Sequence, residues 1–128
     1  AQFADIVKFV RKQATQLYSK NRFIAAQFDA YLKDDLYLKL AGSSNSMAKY
    51  LESQLKDIPE ITISKKVESN AVFAILPKWL TAKLQEKYYF YTWDEHTGEV
   101  RWMCSFNTKK EDIDEFVAYV KTLIKEFA

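Results

Sequence analysis

The stretch Val100-Arg101-Trp102-Met103-Cys104-Ser105-Phe106 constrains the chain more than any other. Side chains alternate across a strand, so Val100, Trp102, Cys104 and Phe106 share one face and Arg101, Met103 and Ser105 the other. The first set is apolar enough to be a core face. The second places a permanent cation beside a thioether and a hydroxyl. Upstream, Tyr88-Tyr89-Phe90-Tyr91-Thr92-Trp93 is a second β-rich run, and Asp94-Glu95-His96-Thr97-Gly98 joins the two with turn residues. Downstream, Thr108-Lys109-Lys110-Glu111 has the form of a capping box and predicts a helix start. The expected order is strand, hairpin turn, strand, helix.

The rest of the chain must supply a second layer for that core face. Its 128 residues are enough for one domain, and 48% hydrophobic content with two glycines and two prolines excludes a disordered or fibrous chain. Nineteen Lys and Arg against 17 Asp and Glu leave a formal charge of +2, which argues against a dedicated nucleic-acid or membrane-surface protein. A single cysteine, Cys104, excludes an internal disulfide and fits a reducing compartment. There is no apolar run of roughly 18 residues and no signal-peptide pattern. The first residue is Ala1 rather than Met, which predicts a processed product, a trimmed form or a piece of something longer.

Phe3, Ile6, Val7 and Val10 recur at helical spacing, with Arg11 and Lys12 closing that helix. A break is expected over Ala14–Tyr18. Phe23, Ile24, Gln27, Phe28 and Tyr31 mark a second helix ending near Asp34-Asp35. Leu36, Leu40, Met47, Leu51 and Leu55 mark a long third helix, weakened at Gly42-Ser43-Ser44 and stopped by Ile58-Pro59. Ile61, Ile63 and Val67 predict an irregular strand, and Asn70 to Leu76 a buried one ended by Pro77. Trp79, Leu80, Leu84 and Tyr88 suggest a short helix before the hairpin. The stripe Ile113, Phe116, Val117, Val120, Leu123, Ile124, Phe127 makes the last helix wide and amphipathic.

The expected fold class is therefore α+β. Residues 35–128 form a two-layer sandwich, a small, largely antiparallel sheet covered by helices. Residues 1–34 form extra N-terminal helices whose apolar surface has no place in that sandwich and is expected to pack on another domain or subunit.

No complete active site is visible. His96 is the only histidine and has no second cluster of ligands, so its turn reads as solvated rather than as a metal site. Alternation buries Cys104, which makes an inert thiol the expected state. The tyrosines at 88, 89 and 91 with nearby lysines have the elements of a single-strand nucleic-acid platform, but ordinary sheet packing accounts for them and the balanced charge favours it. There is no glycine-rich phosphate loop, carboxylate pair or serine elbow. Arg101 by itself is a solvated cation or one paired with Glu99.

Several segments, in order, carry a resemblance: Arg11-Lys12-Gln13, Ser19-Lys20-Asn21-Arg22-Phe23-Ile24-Ala25-Ala26-Gln27, Met47-Ala48-Lys49-Tyr50-Leu51, Ser69-Asn70-Ala71-Val72-Phe73, Gly98-Glu99-Val100-Arg101-Trp102 and Glu111-Asp112-Ile113-Asp114. Together they resemble the C-terminal portion of the threonine aldolase / aromatic amino acid β-eliminating lyase family, pyridoxal-phosphate (PLP) enzymes of fold type I. The resemblance implies a cytoplasmic lyase of amino acid metabolism whose N-terminal cofactor domain lies outside this chain. It implies a homo-oligomer, dimer or tetramer, with PLP in the full-length enzyme. The family's Schiff-base lysine matches no lysine here, so the isolated chain is expected to be inactive and to hold no covalent PLP. Arg101 matches the arginine that holds the substrate carboxylate. Arg11, Lys12 and Lys20 fall in segments that approach the cofactor, although the chain departs there from the glycine-rich loop of many threonine aldolases. Two other readings stand beside this one: a non-catalytic α+β protein-interaction module, and an RNA-binding sheet.

Overall fold

The helical spacing at the start of the chain is realised as α1 (Ala4–Gln13), with Asp5 in its first turn and Arg11 and Lys12 in its last, the arrangement the helix dipole favours. This computed structural model describes residues 3–15 and 18–127; residues 16 and 17, inside the expected break over Ala14–Tyr18, lie outside the described residues. The second helix, α2 (Asn21–Leu32), is followed by a single 3-10 turn, Lys33–Asp35. There Asp34 and Asp35 take φ values of 52° and 58°, a conformation aspartate tolerates better than most residues. Neither α1 nor α2 buries a residue. Their stripes of Phe3, Val7, Val10, Phe23 and Phe28 are all exposed. Residues 1–37 cluster as one unit and residues 38–128 as another.

The third helix, α3, runs from Leu36 to Leu55 without interruption, through the Gly42-Ser43-Ser44 segment that was expected to weaken it. Tertiary packing overrides the weak local propensity: Ser44, Ala48, Leu51 and Leu55 form the buried face of this helix. Ser44 Oγ donates to the Leu40 carbonyl at 3.0 Å and Ser46 Oγ to the Gly42 carbonyl at 2.7 Å, so both hydroxyls are satisfied within the helix.

The expected β-β-α-β-β-α order follows: β1 (Thr62–Ile63), β2 (Ala71–Ile75), α4 (Lys78–Gln85), β3 (Tyr91–Asp94), β4 (Glu99–Met103) and α5 (Lys110–Phe127). The strands form one antiparallel sheet in the order β1-β2-β4-β3. β1 is shorter than its pattern suggested, because Ile61 and Val67 are buried from the coil on either side of it. Val72 and Ala74 of β2 and Val100 and Trp102 of β4 join one core with Ala48, Leu51 and Leu55 of α3, Leu80 and Leu84 of α4, and Val117 and Val120 of α5. All three helices of this unit thus serve the same sheet face, as in a two-layer α+β sandwich.

Two expected details shift. The start of α5 is capped one residue later than the capping-box pattern suggested. The Asp112 carboxylate accepts from the Lys109 N–H at 2.9 Å, while the Thr108 hydroxyl accepts instead from the Ser105 N–H, also at 2.9 Å. Phe106, expected on the core face, is 60% exposed, because β4 ends at Met103 and the chain turns at Ser105–Thr108 before the alternation reaches it.

One charged side chain is buried at the sheet. Glu99 accepts from Ser64 Oγ at 2.6 Å and from Lys65 Nζ at 2.9 Å. The Ser64 hydrogen bond first, and the Lys65 ammonium second, hold its carboxyl below the ordinary value. A carboxyl lowered in the folded chain adds stability above the unfolded chain's carboxylate range, and that stability is lost as pH falls through the lowered value. Glu99→Gln should therefore melt below the wild type near neutral pH, and the gap should narrow in acid below the carboxylate range. Thermal melts across that range check the sign. The exposed stripes of α1 and α2 generate a second expectation. The isolated chain should self-associate, and removing residues 1–37 should reduce that association in light scattering. A monomer whose α1 and α2 amides are strongly protected from hydrogen exchange would contradict it.

Candidate functional site

With Val72, Ala74, Val100 and Trp102 turned to the core, the alternation of β2 and β4 sends Phe73, Glu99, Arg101 and Met103 to the opposite face. No element of residues 38–128 covers that face among the described residues. Phe73 lies directly across from Arg101 on β2, and Tyr91 directly across from it on β3. Arg101 is thus flanked on both neighbouring strands by an aromatic ring.

The third ring arrives by an irregularity. The β3–β4 register steps from Thr92↔Val100 to Asp94↔Glu99, which leaves Trp93 as an unpaired extra residue. A bulge of this kind bends its strand and re-aims a side chain. Here the Trp93 indole meets Phe73 edge-on, with ring centroids 5.4 Å apart. The turn that follows is fixed by Asp94, whose carboxylate accepts from the His96 N–H at 2.8 Å, and by Gly98 at φ 76°. A Cβ on Gly98 would approach the Leu76 carbonyl to 3.3 Å, so both the backbone conformation and the space favour glycine.

Two cations sit on this aromatic floor. The Arg101 guanidinium lies 4.7 Å from the Trp93 ring centre and 5.8 Å from that of Tyr91. Lys65 Nζ lies 4.1 Å from the centre of Phe73 and 5.8 Å from that of Trp93. The two cations differ in what balances their charge. Lys65 is ion-paired with Glu99. Arg101 has no carboxylate partner among the described residues, and its Nε is buried without a hydrogen-bond acceptor. The pairing of Arg101 with Glu99, open from the sequence, is not formed; the Glu99 carboxylate bonds instead to Ser64 and Lys65. A shallow concavity of about 160 Å³, lined by Tyr89, Phe90, Tyr91, Arg101 and Met103, opens beside the guanidinium. Chemically, the arrangement can take an anion: Arg101 is a planar, permanently charged donor beside two aromatic rings, without an ion-pair partner among the described residues.

The other residues singled out from the sequence fall elsewhere. Arg11 and Lys12 lie in the last turn of α1 and Lys20 immediately precedes α2, all exposed and all in the unit 1–37. His96 is exposed in the β3–β4 turn, and no group of three metal-ligating side chains occurs among the described residues. Cys104 is buried, and burial pushes its thiol up, away from the reactive thiolate. Its backbone is clamped to Asn70 twice: the Cys104 N–H donates to the Asn70 carbonyl and Asn70 Nδ2 to the Cys104 carbonyl, both at 2.8 Å. A second concavity of about 210 Å³, bordered by Tyr88, Trp102, Cys104 and Phe116, contains no cation. No helix of the described residues is long and apolar enough to cross a membrane. Trp93 and Lys65 were not anticipated as parts of a site. Alternation from Tyr91 directs Trp93 to the Arg101 face, whereas nothing in the sequence pointed to Lys65.

No family model matches the chain. Over 114 residues it is 34% identical to the low-specificity L-threonine aldolase of a Pseudomonas species, strain NCIMB 10558, and to that of Pseudomonas aeruginosa. Each match covers 88% of this chain and 33% of the relative, so the chain spans about a third of the length of the curated relatives it matches. Among solved structures, the threonine aldolase of Leishmania major superposes with a TM-score of 0.67 at 30% identity, covering 77% of this chain and 29% of that one. A C-DES mutant with glycine covalently linked to its PLP cofactor superposes with a TM-score of 0.54 at 17% identity, over 62% of this chain and 22% of that one, a likeness of fold alone. Sequence and fold agree, and the chain corresponds to a C-terminal portion of the threonine aldolase family.

Proposed function

We propose that this chain is the part of a longer PLP-dependent lyase that holds the carboxylate of an amino-acid substrate, through Arg101, for threonine aldolase-like carbon–carbon cleavage or for β-elimination. The observation that carries the reading is the state of Arg101. It is a half-buried guanidinium on an uncovered sheet face, with Nε unpartnered and no carboxylate of the described residues against it. A buried donor without an acceptor costs on the order of 1–3 kcal/mol, so a ligand that supplies the acceptor gains what the fold forgoes. Similarity to the Pseudomonas and Leishmania aldolases supports an amino-acid carboxylate as the ligand.

PLP, when bound in the longer enzyme, stabilises the electron pair released at the substrate's α-carbon. The residues of this chain fit the substrate side of that chemistry rather than the cofactor. Of the two cations on the sheet face, Lys65 is taken by Glu99, and Arg101 has the fork geometry that suits a carboxylate. Arg101 fixes the carboxylate in two-pronged contact. With the amino group held at the cofactor, an anchored carboxylate fixes rotation about the bond from the amino nitrogen to the α-carbon, and with it which bond is aligned for cleavage. Tyr91 and Trp93 flank the guanidinium, 5.8 and 4.7 Å from their ring centres, and restrict its movement.

The unit 1–37 supplies the rest of the proposal. Its exposed Phe, Ile and Val faces pack against a cofactor domain or a partner subunit in a cytoplasmic homo-oligomer. Arg11, Lys12 and Lys20 approach the cofactor, supported by the family resemblance alone. The alternative of a non-catalytic interaction module draws on the same exposed helices and leaves Arg101 without a role.

In the longer enzyme, Arg101→Lys should raise KM strongly and lower kcat/KM by about a hundredfold or more, because lysine keeps the charge and loses the fork. Thermal stability should change little. Wild-type kinetics in that variant would rule out the carboxylate role. The isolated chain mixed with PLP should give no adduct that borohydride traps on one specific lysine. Peptide mapping that returned one dominant modified lysine would place cofactor chemistry in this chain after all.

A further inference from the structure

We propose that Lys65 is a positioning residue: by occupying the Glu99 carboxylate it keeps Arg101 free for the substrate's carboxylate. The inference rests on the carboxylate reading of Arg101 and adds what maintains that arginine in its receptive state. Glu99 and Arg101 are two residues apart on the same strand and point to the same sheet face. Side chains two apart on one strand project to the same face, which puts these two opposite charges within reach of each other. In this chain they are not paired. Glu99 is nearly buried, and its two oxygens are divided between Ser64 Oγ and Lys65 Nζ, at 2.6 and 2.9 Å.

The alternative arrangement is close at hand. Lys65 and Arg101 share one platform, both within 6 Å of the Trp93 ring centre. Lys65 is held there by its position over Phe73 and by a backbone bond from the neighbouring Ser64 N–H to the Phe73 carbonyl at 3.0 Å. Without the Lys65 ammonium, Glu99 is a nearly buried carboxylate retaining only a serine donor, and Arg101 is the nearest unbalanced cation on that face. A carboxylate so placed competes with a substrate carboxylate for the same guanidinium. Like-charge repulsion between Lys65 and Arg101 is relieved by Glu99, so the triad is balanced for one further negative group.

The test uses the longer enzyme that carries this segment. Lys65→Met should raise KM for the amino-acid substrate about tenfold, as expected for an internal competitor at a charge-assisted contact, while kcat falls less than KM rises. Lys65→Arg should retain KM near wild type. The double variant Lys65→Met/Glu99→Gln should recover most of the loss, whereas a structural role for the ion pair predicts a double variant no better than the single. A crystal structure of Lys65→Met should place the Glu99 carboxylate against the Arg101 guanidinium, which separates direct capture from a general loss of positive field. Lys65 is half-exposed, so these variants are expected to fold, and melting temperatures check it. An unchanged KM in Lys65→Met, no recovery in the double variant, or a Glu99 that stays away from Arg101 would each overturn the proposal. Arg101→Lys separates the two ideas. If it raises KM and Lys65→Met does not, only the role of Lys65 fails; if Arg101→Lys is itself silent, the carboxylate reading has failed.

Discussion

Pairing of β2 with β4 fixes everything else in the unit 38–128. Its five-residue register, Ala71↔Met103 through Ile75↔Glu99, sends Val72, Val100 and Trp102 into the core and Phe73 and Arg101 to the uncovered face. Because strand side chains alternate, a slip of one residue would exchange the two sets. Exposing Val72, Val100 and Trp102 would cost roughly 5–9 kcal/mol at about 1.5–3 kcal/mol per buried side chain, comparable with the whole stability of a small domain. The core therefore decides where Arg101 points, although Arg101 contributes nothing to the core. Asn70 closes the end of the ladder with its two bonds to Cys104, which fixes the register at the end where β4 runs out.

On the uncovered face, different forces operate. Stacking a guanidinium on a partly exposed indole is worth about 0.5–2 kcal/mol, and leaving a buried N–H without an acceptor costs about as much. The Arg101 arrangement is thus close to neutral for stability. Lys65 over Phe73 differs, since its charge is balanced by Glu99 within the fold. The face holds one satisfied cation and one unsatisfied cation a few ångströms apart on shared aromatic rings. A sheet surface selected only for stability would more simply pair Arg101 with Glu99.

Much of this was legible in the sequence, for reasons that can be named. The Val100–Phe106 alternation, the apolar run of β2 and the wide stripe of α5 are patterns imposed by burial. They therefore yielded the element order, the antiparallel sheet and the outward direction of Arg101. Three features were not legible. The α3 helix survives Gly42-Ser43-Ser44 because its face through Ser44, Ala48, Leu51 and Leu55 is buried, a tertiary contribution no propensity scale contains. The register step that leaves Trp93 unpaired has no fixed signature in the sequence, although alternation from Tyr91 already directs Trp93 to the Arg101 face. Lys65 and Glu99 are 34 positions apart along the chain, so only the folded sheet reveals that Glu99 is already engaged. The short-range reading of Glu99 as the partner of Arg101 was reasonable and incomplete for that reason.

The two uncovered surfaces of the chain differ in chemistry, and that difference separates their roles. On α1 and α2 the exposed side chains Phe3, Val7, Val10, Phe23 and Phe28 are aliphatic or phenyl groups, and the only cost of leaving them in water is hydrophobic. Such a surface is satisfied by any well-fitting apolar cover, which is what a neighbouring domain or subunit offers. On the sheet face the rings of Tyr91 and Trp93 are occupied by a cation, and the missing element is an acceptor with negative charge. An apolar cover would worsen that face, because it would desolvate Arg101 without balancing it. Under the proposed function, the helices are the contact surface and the sheet face is the ligand surface.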